Sequence, residues 1–163
     1  MTDQRLKNRI ALIVGGSSGL GKATAIKFAK QGARIAIADL RSSGVEEQLK
    51  QQHGEAAATF IPCDVTKETD VVKTIEAVAQ WGGRLDILCN FAGVLIDHDR
   101  GMPARCHTLA TGYFDQTIAV NVRGMWLCCK YALMQMMQQE PGEPNARGDR
   151  TRGWIVNTAS VTG

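Results

Sequence analysis

Ile10-Ala11-Leu12-Ile13-Val14-Gly15-Gly16-Ser17-Ser18-Gly19-Leu20-Gly21 joins a short apolar run to a glycine-rich turn. The run shows no polar alternation, so it reads as a parallel strand buried on both faces. Gly19 to Gln31 follows as a helix, with Ala23, Ile26, Phe28 and Ala29 on its inward side and Gly32 ending it. A glycine turn at such a junction lets the backbone come close to a pyrophosphate and hand it to a helix N-terminus. The free N–H groups and the helix dipole favour the anion there. Gly15, Gly19 and Gly21 are placed for this task, with Leu20 between the last two, and the hydroxyls of Ser17 and Ser18 can add hydrogen bonds. The spacing is Gly-x-x-x-Gly-x-Gly rather than Gly-x-Gly-x-x-Gly. No Gly-Lys-Ser/Thr closes it as in a P-loop, because Lys22 is followed by Ala23. A plain flexible turn is the competing reading.

Outward from this turn the chain alternates. Ala33 to Ala38 reads as a strand with Asp39 at its tip, Gly44 to Gln52 as a helix broken by Gly54, and Ala57 to Cys63 as a strand with Asp64 at its tip. Lys67 to Trp81 has Val71, Ile75, Val78 and Ala79 at helical spacing and stops at Gly82-Gly83. Leu85 to Cys89 is a fourth strand, followed by Asn90-Phe91-Ala92-Gly93. Residues 97–112 have no period and read as a surface loop. Tyr113 to Gln138 is helical, as one helix or two meeting near Val120. Residues 141–153 form a solvated loop, and Trp154 to Thr158 is a fifth strand. Repeated strand–helix alternation implies an open parallel sheet with helices on both faces. No internal linker separates a second domain, so residues 1–163 read as one dinucleotide-binding domain.

Composition narrows the function classes. The 163 residues are 44% hydrophobic but only 6% aromatic, which calls for a mostly aliphatic core of one domain. The net charge of +3 is spread evenly, so no concentrated basic face argues for nucleic acid. No run approaches the ~18 apolar residues of a membrane span. Cys63, Cys89, Cys106, Cys128 and Cys129 are odd in number, and most sit in apolar runs as small buried hydrophobes. Together with the lack of an apolar targeting stretch near the start, this predicts a reducing, cytoplasmic setting. His53, His98 and His107 are scattered, so no metal site is expected.

Two acids extend the reading of the turn. Asp39, with Leu40 beside it, can accept from ribose hydroxyls and repel a 2′-phosphate, which favours NAD(H) over NADP(H). Arg41 keeps NADP(H) open, since a guanidinium binds phosphate well. A solvated strand end is the simpler alternative for Asp39. Asp64 can accept from an adenine amine while the Val65 backbone meets the ring, or it can cap the helix that follows.

With these motifs in place, the chain from Leu6 to Gly163 resembles the short-chain dehydrogenase/reductase family in its classical-length branch. The family's Thr-Gly-x-x-x-Gly-x-Gly turn stands here as Val14 to Gly21, with valine for threonine. Its Asn-Asn-Ala-Gly run stands as Asn90-Phe91-Ala92-Gly93, with phenylalanine for the second asparagine. Asp39 and Asp64 match its nucleotide-side acids. The resemblance implies a Rossmann-type doubly wound α/β fold in three layers, incomplete at the C-terminal side, and an NAD(P)-dependent exchange between an alcohol and a ketone. It also implies small-molecule substrates and homo-oligomers in the complete domain. Of the family's Asn-Ser-Tyr-Lys set, the asparagine maps onto Asn121 and the serine onto Ser160. The serine positions or polarises the substrate oxygen, and the asparagine sits at a helix irregularity and holds a water.

The tyrosine and lysine would fall beyond Ser160, and neither Tyr113 nor Tyr131 opens a Tyr-x-x-x-Lys sequence. The 163 residues are therefore expected to bind nucleotide with little or no turnover, the alternative being a non-catalytic nucleotide-binding or interaction fragment. The missing strands and helices would leave strand five as an edge. They would also leave Trp126, Leu127, Leu133, Met134 and Met137 with part of their packing surface bare.

Overall fold

The computed structural model describes residues 4–95, 98, 99, 102, 103, 105–144 and 147–159. Five parallel strands form one sheet in the order β3-β2-β1-β4-β7. They are β1 (Ile10–Val14), β2 (Arg34–Asp39), β3 (Ala58–Pro62), β4 (Ile87–Asn90) and β7 (Trp154–Asn157). A separate antiparallel pair, β5 (His98–Asp99) and β6 (Met102–Pro103), lies in the stretch read from sequence as loop. The helices are α1 (Gly19–Lys30), α2 (Val45–His53), α3 (Glu68–Gly82), α4 (Thr111–Ile118) and α5 (Met125–Met137). Between α4 and α5 the helix continues through a π-helical stretch, Ala119–Gly124. The expected junction near Val120 is thus a change of helical pitch within one continuous helix.

Period-2 geometry divides the strand residues between two cores. Ile10, Leu12 and Val14 pack with α3 and α5 through Val71, Ile75, Val78, Leu127, Ala132 and Met136. Ala11 and Ile13 pack on the other face with α1 and α2 through Ala25, Ala29, Val45 and Leu49. The chain is therefore a doubly wound α/β fold in three layers. Within α1 the buried row is Gly21, Ala25 and Ala29, whereas Ala23 faces solvent. The 21/25/29 spacing follows the i, i+4 ridge, which carries Ala23 off the sheet. β4 starts at Ile87 rather than Leu85, because the Gln139 side chain takes both the N–H and the C=O of Leu85.

Trp126, Leu133, Met134 and Met137 are exposed on α5, as expected from the sequence, but Leu127 is fully buried against the sheet. Leu127 lies on the same face as Ala132 and Met136, so it belongs to the core. Asp86, 1% exposed, ties the bottom of the sheet together. It accepts from Arg9 (3.2 Å), Arg84 (2.9 Å) and the Ile10 N–H (3.0 Å). Cys63, Cys89 and Cys128 are buried, Cys129 is half-buried and Cys106 is exposed; all five are free thiols. Burial pushes the Cys89 thiol up to about 11 and Cys128 to about 12, so both stay protonated and inert at neutral pH.

Candidate nucleotide-binding site

The sheet order reverses direction between β1 and β4, and that switch point opens a crevice at the strands' carboxyl ends. A cleft of about 490 Å³ lies there, walled by the ends of β1, β2 and β3, the segment after β4, and α4 with the π-helical stretch. Gly15, Ser18, Asp39, Leu40, Asp64, Val65, Ala92 and Gly93 line it. An adjoining compartment of about 190 Å³ is bounded by Gly15, Ser18, Gly19, Leu20 and Gly21, with Phe91 and Thr158 opposite. Eleven of the residues singled out from sequence thus meet around one crevice, since Gly15 and Ser18 serve both compartments. Ser17 and Asn90 are buried instead and line neither. Ser160 lies outside the described residues.

The three turn glycines have separate physical reasons. A Cβ on Gly15 would sit 2.5 Å from Ala92 N, so the glycine lets β1 and the segment after β4 close up. A Cβ on Gly21 would sit 2.1 Å from Gly15 O, so the glycine lets the helix start against its own turn. Gly19 is different. Its φ is +48°, and a Cβ there would meet nothing within 4 Å, because it would project into open space at the smaller compartment. A close approach kept clear on the ligand side is what a phosphate cradle needs.

The donors of the turn divide between those bonded within the fold and those at the open end of α1. Gly15 N–H donates to Ala38 O at 2.7 Å, and Ser17 N–H donates to Asp39 Oδ2 at 3.0 Å. These amides bind the turn to β2 and are spent. The first intrahelical bond is Lys22 N–H to Ser18 O, which leaves the N–H groups of Gly19, Leu20 and Gly21 ahead of it as helix-end donors. α1 has no acid in its first turn and no side-chain cap, whereas α2 and α3 carry Glu46 with Glu47 and Glu68 with Asp70 there. The amides that the fold itself leaves as helix-end donors therefore lie in the C-terminal half of the turn. Ser17 Oγ is buried without a partner, so its hydroxyl contributes no bond among the described residues.

Asp39 is held in place by two amides, Ser17 N–H and Leu40 N–H (2.8 Å), at the mouth of the larger cleft. Asp64 Oδ1 accepts from the N–H (3.0 Å) and hydroxyl (2.7 Å) of Thr66, and Lys67 Nζ stands 3.4 Å from Oδ2. The Thr66 hydroxyl holds its carboxyl below the usual range. Asp64 thus closes the turn before α3 and lines the cleft, but it does not cap the helix: the N-cap is Lys67, and no side chain bonds the first amides of α3, because the Asp64 carboxylate is taken up by Thr66.

The π-helical stretch braces two walls at once. Asn121 Nδ2 donates to Val94 O (2.9 Å), and Asn121 Oδ1 accepts from Val94 N–H (2.8 Å), fixing the segment after β4. Arg123 donates to Thr66 O at 2.7 Å, fixing the segment after β3. Gly124 packs so tightly on Val65 that a Cβ would lie 2.7 Å from Val65 Cγ2. Behind the wall, Asn90 Nδ2 donates to Asn157 Oδ1 at 2.8 Å, joining the ends of β4 and β7. Tyr131 lines neither compartment: its hydroxyl donates to Glu68, which Lys130 also meets at 3.0 Å. Among the described residues, no three His, Cys, Asp or Glu side chains gather as a metal site, and no helix is long and apolar enough to cross a membrane.

Residues 9–163 match the family model for short chain dehydrogenases. The chain belongs to the short-chain dehydrogenase/reductase family. It is 36% identical over 162 residues to short-chain dehydrogenase reductase 5 of Arabidopsis thaliana, covering 99% of this chain and 56% of that protein. It is 35% identical over 161 residues to 3-hydroxyacyl-CoA dehydrogenase type-2 of Drosophila melanogaster, covering 96% and 58%. The crystal structure of gox2181 superposes with a TM-score of 0.82 at 27% identity, covering 99% of this chain and 57% of that one. The chain thus spans about half the length of the curated relatives it matches. Members of this short-chain dehydrogenase/reductase family use NAD(P), and the crevice fits such a group in two respects. It holds a glycine whose missing side chain leaves a cradle, and a helix N-terminus free of acids.

Phe91, which replaces the family's second asparagine, lines both compartments as a wall residue. Sequence reasoning missed several others. Cys63, Thr66, Val94, Gln116, Ala119 and Val120 also line the larger cleft, and Thr158 the smaller. Thr66 was signalled by its place two residues after Asp64. Gln116 carried no local signal, because its position depends on α4 returning over the crevice.

Proposed function

We propose that this chain binds NAD(H) in preference to NADP(H) along the crevice, as the nucleotide-holding part of an enzyme that interconverts an alcohol and a ketone. The observation that carries the reading is the adjacency of the acid-free α1 N-terminus, the cleared cradle at Gly19 and the amide-held carboxylate of Asp39. In this reading Gly19, Leu20 and Gly21 donate to the pyrophosphate. Asp39 accepts from the adenosine ribose and opposes a 2′-phosphate. Asp64, Val65, Leu40, Ala92 and Gly93 form the walls of the adenosine half. Ser17 and Asn90 act through the wall, Ser17 by holding Asp39 and Asn90 by holding β7.

When bound, the nicotinamide supplies a hydride acceptor or donor. Ser160 is proposed to orient the substrate oxygen, and Asn121 to keep the Val94 wall and the helix in register. The oxygen also needs a proton partner, since general acid–base catalysis contributes typically ~10²–10⁴-fold. The 163 residues hold no Tyr-x-x-x-Lys to provide it. We therefore expect a polypeptide of these residues to bind nucleotide and turn over substrate little or not at all. The relatives include a reductase-family protein of Arabidopsis thaliana, a 3-hydroxyacyl-CoA dehydrogenase and a secoisolariciresinol dehydrogenase, which supports the reaction class and leaves the substrate open.

The test is a fluorescence titration of the purified chain with NADH and with NADPH, followed by a panel of secondary alcohols and ketones. Tighter NADH binding with background turnover is the expected result. Equal or stronger NADPH binding refutes the preference, and turnover well above background refutes the inactive state.

A further inference from the structure

The segment between Asp39 and α2 carries a second acid that the nucleotide reading above does not use. Glu46, in the first turn of α2, is only 7% exposed. Its Oε1 accepts from the Ser42 hydroxyl, and its Oε2 is buried with no hydrogen-bond partner. Ser42 Oγ in turn accepts from Gly44 N–H at 2.9 Å, and Gly44 caps the helix with φ +77°. Ser42 thereby donates to α2 and accepts from its own loop. Residues 40–44 run directly from the tip of β2, so a phosphate on the ribose beside Asp39 would approach this loop and this helix end.

We infer that Glu46 is a specificity-determining residue for the nucleotide, acting with Asp39 against a 2′-phosphate. The inference rests on the proposed NAD(H) site. Two effects combine. First, an anion near the α2 N-terminus would gain from free amides and the helix dipole, but a carboxylate of this chain already occupies that environment. Second, the Ser42 hydroxyl, a donor in the loop after Asp39, is already committed to Glu46. Arg41 is exposed beside it and supplies a countervailing cation. Glu46, being withdrawn from solvent, is screened less than the exposed Arg41, so its charge is expected to carry further.

Glu46→Gln keeps the shape and an acceptor for Ser42 while removing the charge. The ratio of NADPH to NADH affinity is expected to rise by about tenfold, the order that one unit of like charge is worth at a partly buried site. Ser42→Ala leaves the charge but frees the loop, and its ratio is expected to stay within about twofold of the unaltered chain. Glu46→Ala serves as the second variant should Glu46→Gln fold poorly; it removes the charge and also releases the Ser42 hydroxyl, so a rise of at least the same size is expected. Binding is followed by fluorescence and folding by thermal melt. If the unaltered chain binds neither nucleotide, or prefers NADPH, the NAD(H) site itself fails. If it prefers NADH and the Glu46 variants keep the same ratio, only the role of Glu46 is overturned. Equal loss of both nucleotides in both variants overturns it too, by showing a purely structural residue.

Discussion

Adding one methyl group at Gly19 separates binding from folding. Gly19 stands at φ +48°, so alanine there adopts a left-handed conformation that costs about 1 kcal/mol. For a domain of this size that lowers the melting temperature by roughly 2–4 °C. No protein atom lies within 4 Å of the new Cβ, so no packing penalty adds to the strain. The methyl instead fills the cradle beside the N–H groups of Gly19, Leu20 and Gly21. A pyrophosphate pushed outward loses at least one charge-assisted hydrogen bond, worth about 1.5–3 kcal/mol. That corresponds to an affinity loss of about tenfold or more. Gly21→Ala supplies the contrast. Its Cβ would sit 2.1 Å from Gly15 O, so the damage appears first in the melt. The assay pairs a thermal melt with an NADH titration for each variant. Unchanged NADH affinity in a well-folded Gly19→Ala chain would refute the placement of the phosphate.

Four further outcomes follow from the geometry. Asp86→Ala strands two arginines and the Ile10 N–H at the bottom of the sheet, so a denaturant melt should show a loss of about 3 kcal/mol or more. Gly124→Ala forces a methyl to within 2.7 Å of Val65 Cγ2, and a net cost of about 1 kcal/mol is expected after the helix-propensity gain. Asn121→Ala leaves the Val94 N–H and C=O without their partner, so hydrogen exchange should quicken at residues 92–95 while β1 and β2 stay protected. The Asp64 carboxyl is depressed in the folded chain, so its stabilisation is present above the unfolded carboxylate range and is lost as pH falls through its lowered value. Thr66→Val removes the largest cause of that depression. The acid limb of the stability profile should then flatten below about pH 4, with the Asp64 titration moving upward in NMR.

Much of the fold was legible because the deciding signals are local. Ile10–Val14 has no polar residue, and it is buried on both faces. Gly15, Gly19 and Gly21 announce a strand-to-helix turn, and Asp39 and Asp64 mark strand tips. What stayed illegible depends on pairings between distant residues. Gly15 and the Ser17 hydroxyl look like phosphate ligands in the sequence, yet the Gly15 and Ser17 amides bond Ala38 and Asp39 across the β1–β2 junction, which draws the Ser17 hydroxyl inward. Asn90 looks like a wall residue, yet its partner Asn157 stands on the neighbouring strand and draws it inward. The π-helical stretch has no local composition of its own. It accompanies Asn121 bonding Val94 while Gly124 closes on Val65. Leu127 and Ala23 were misassigned to faces because one helical residue turns the ring of neighbours by about 100°.

The most direct measurement is an amide NMR titration of the chain with ADP-ribose, which carries the pyrophosphate and both riboses without the nicotinamide. Saturable shifts at Gly19, Leu20, Gly21, Leu40, Val65 and Ala92, with little change on the exposed face of α5, are the predicted result. Saturable shifts that leave Gly19–Gly21 untouched, or no saturable shifts at millimolar ligand, would contradict the account.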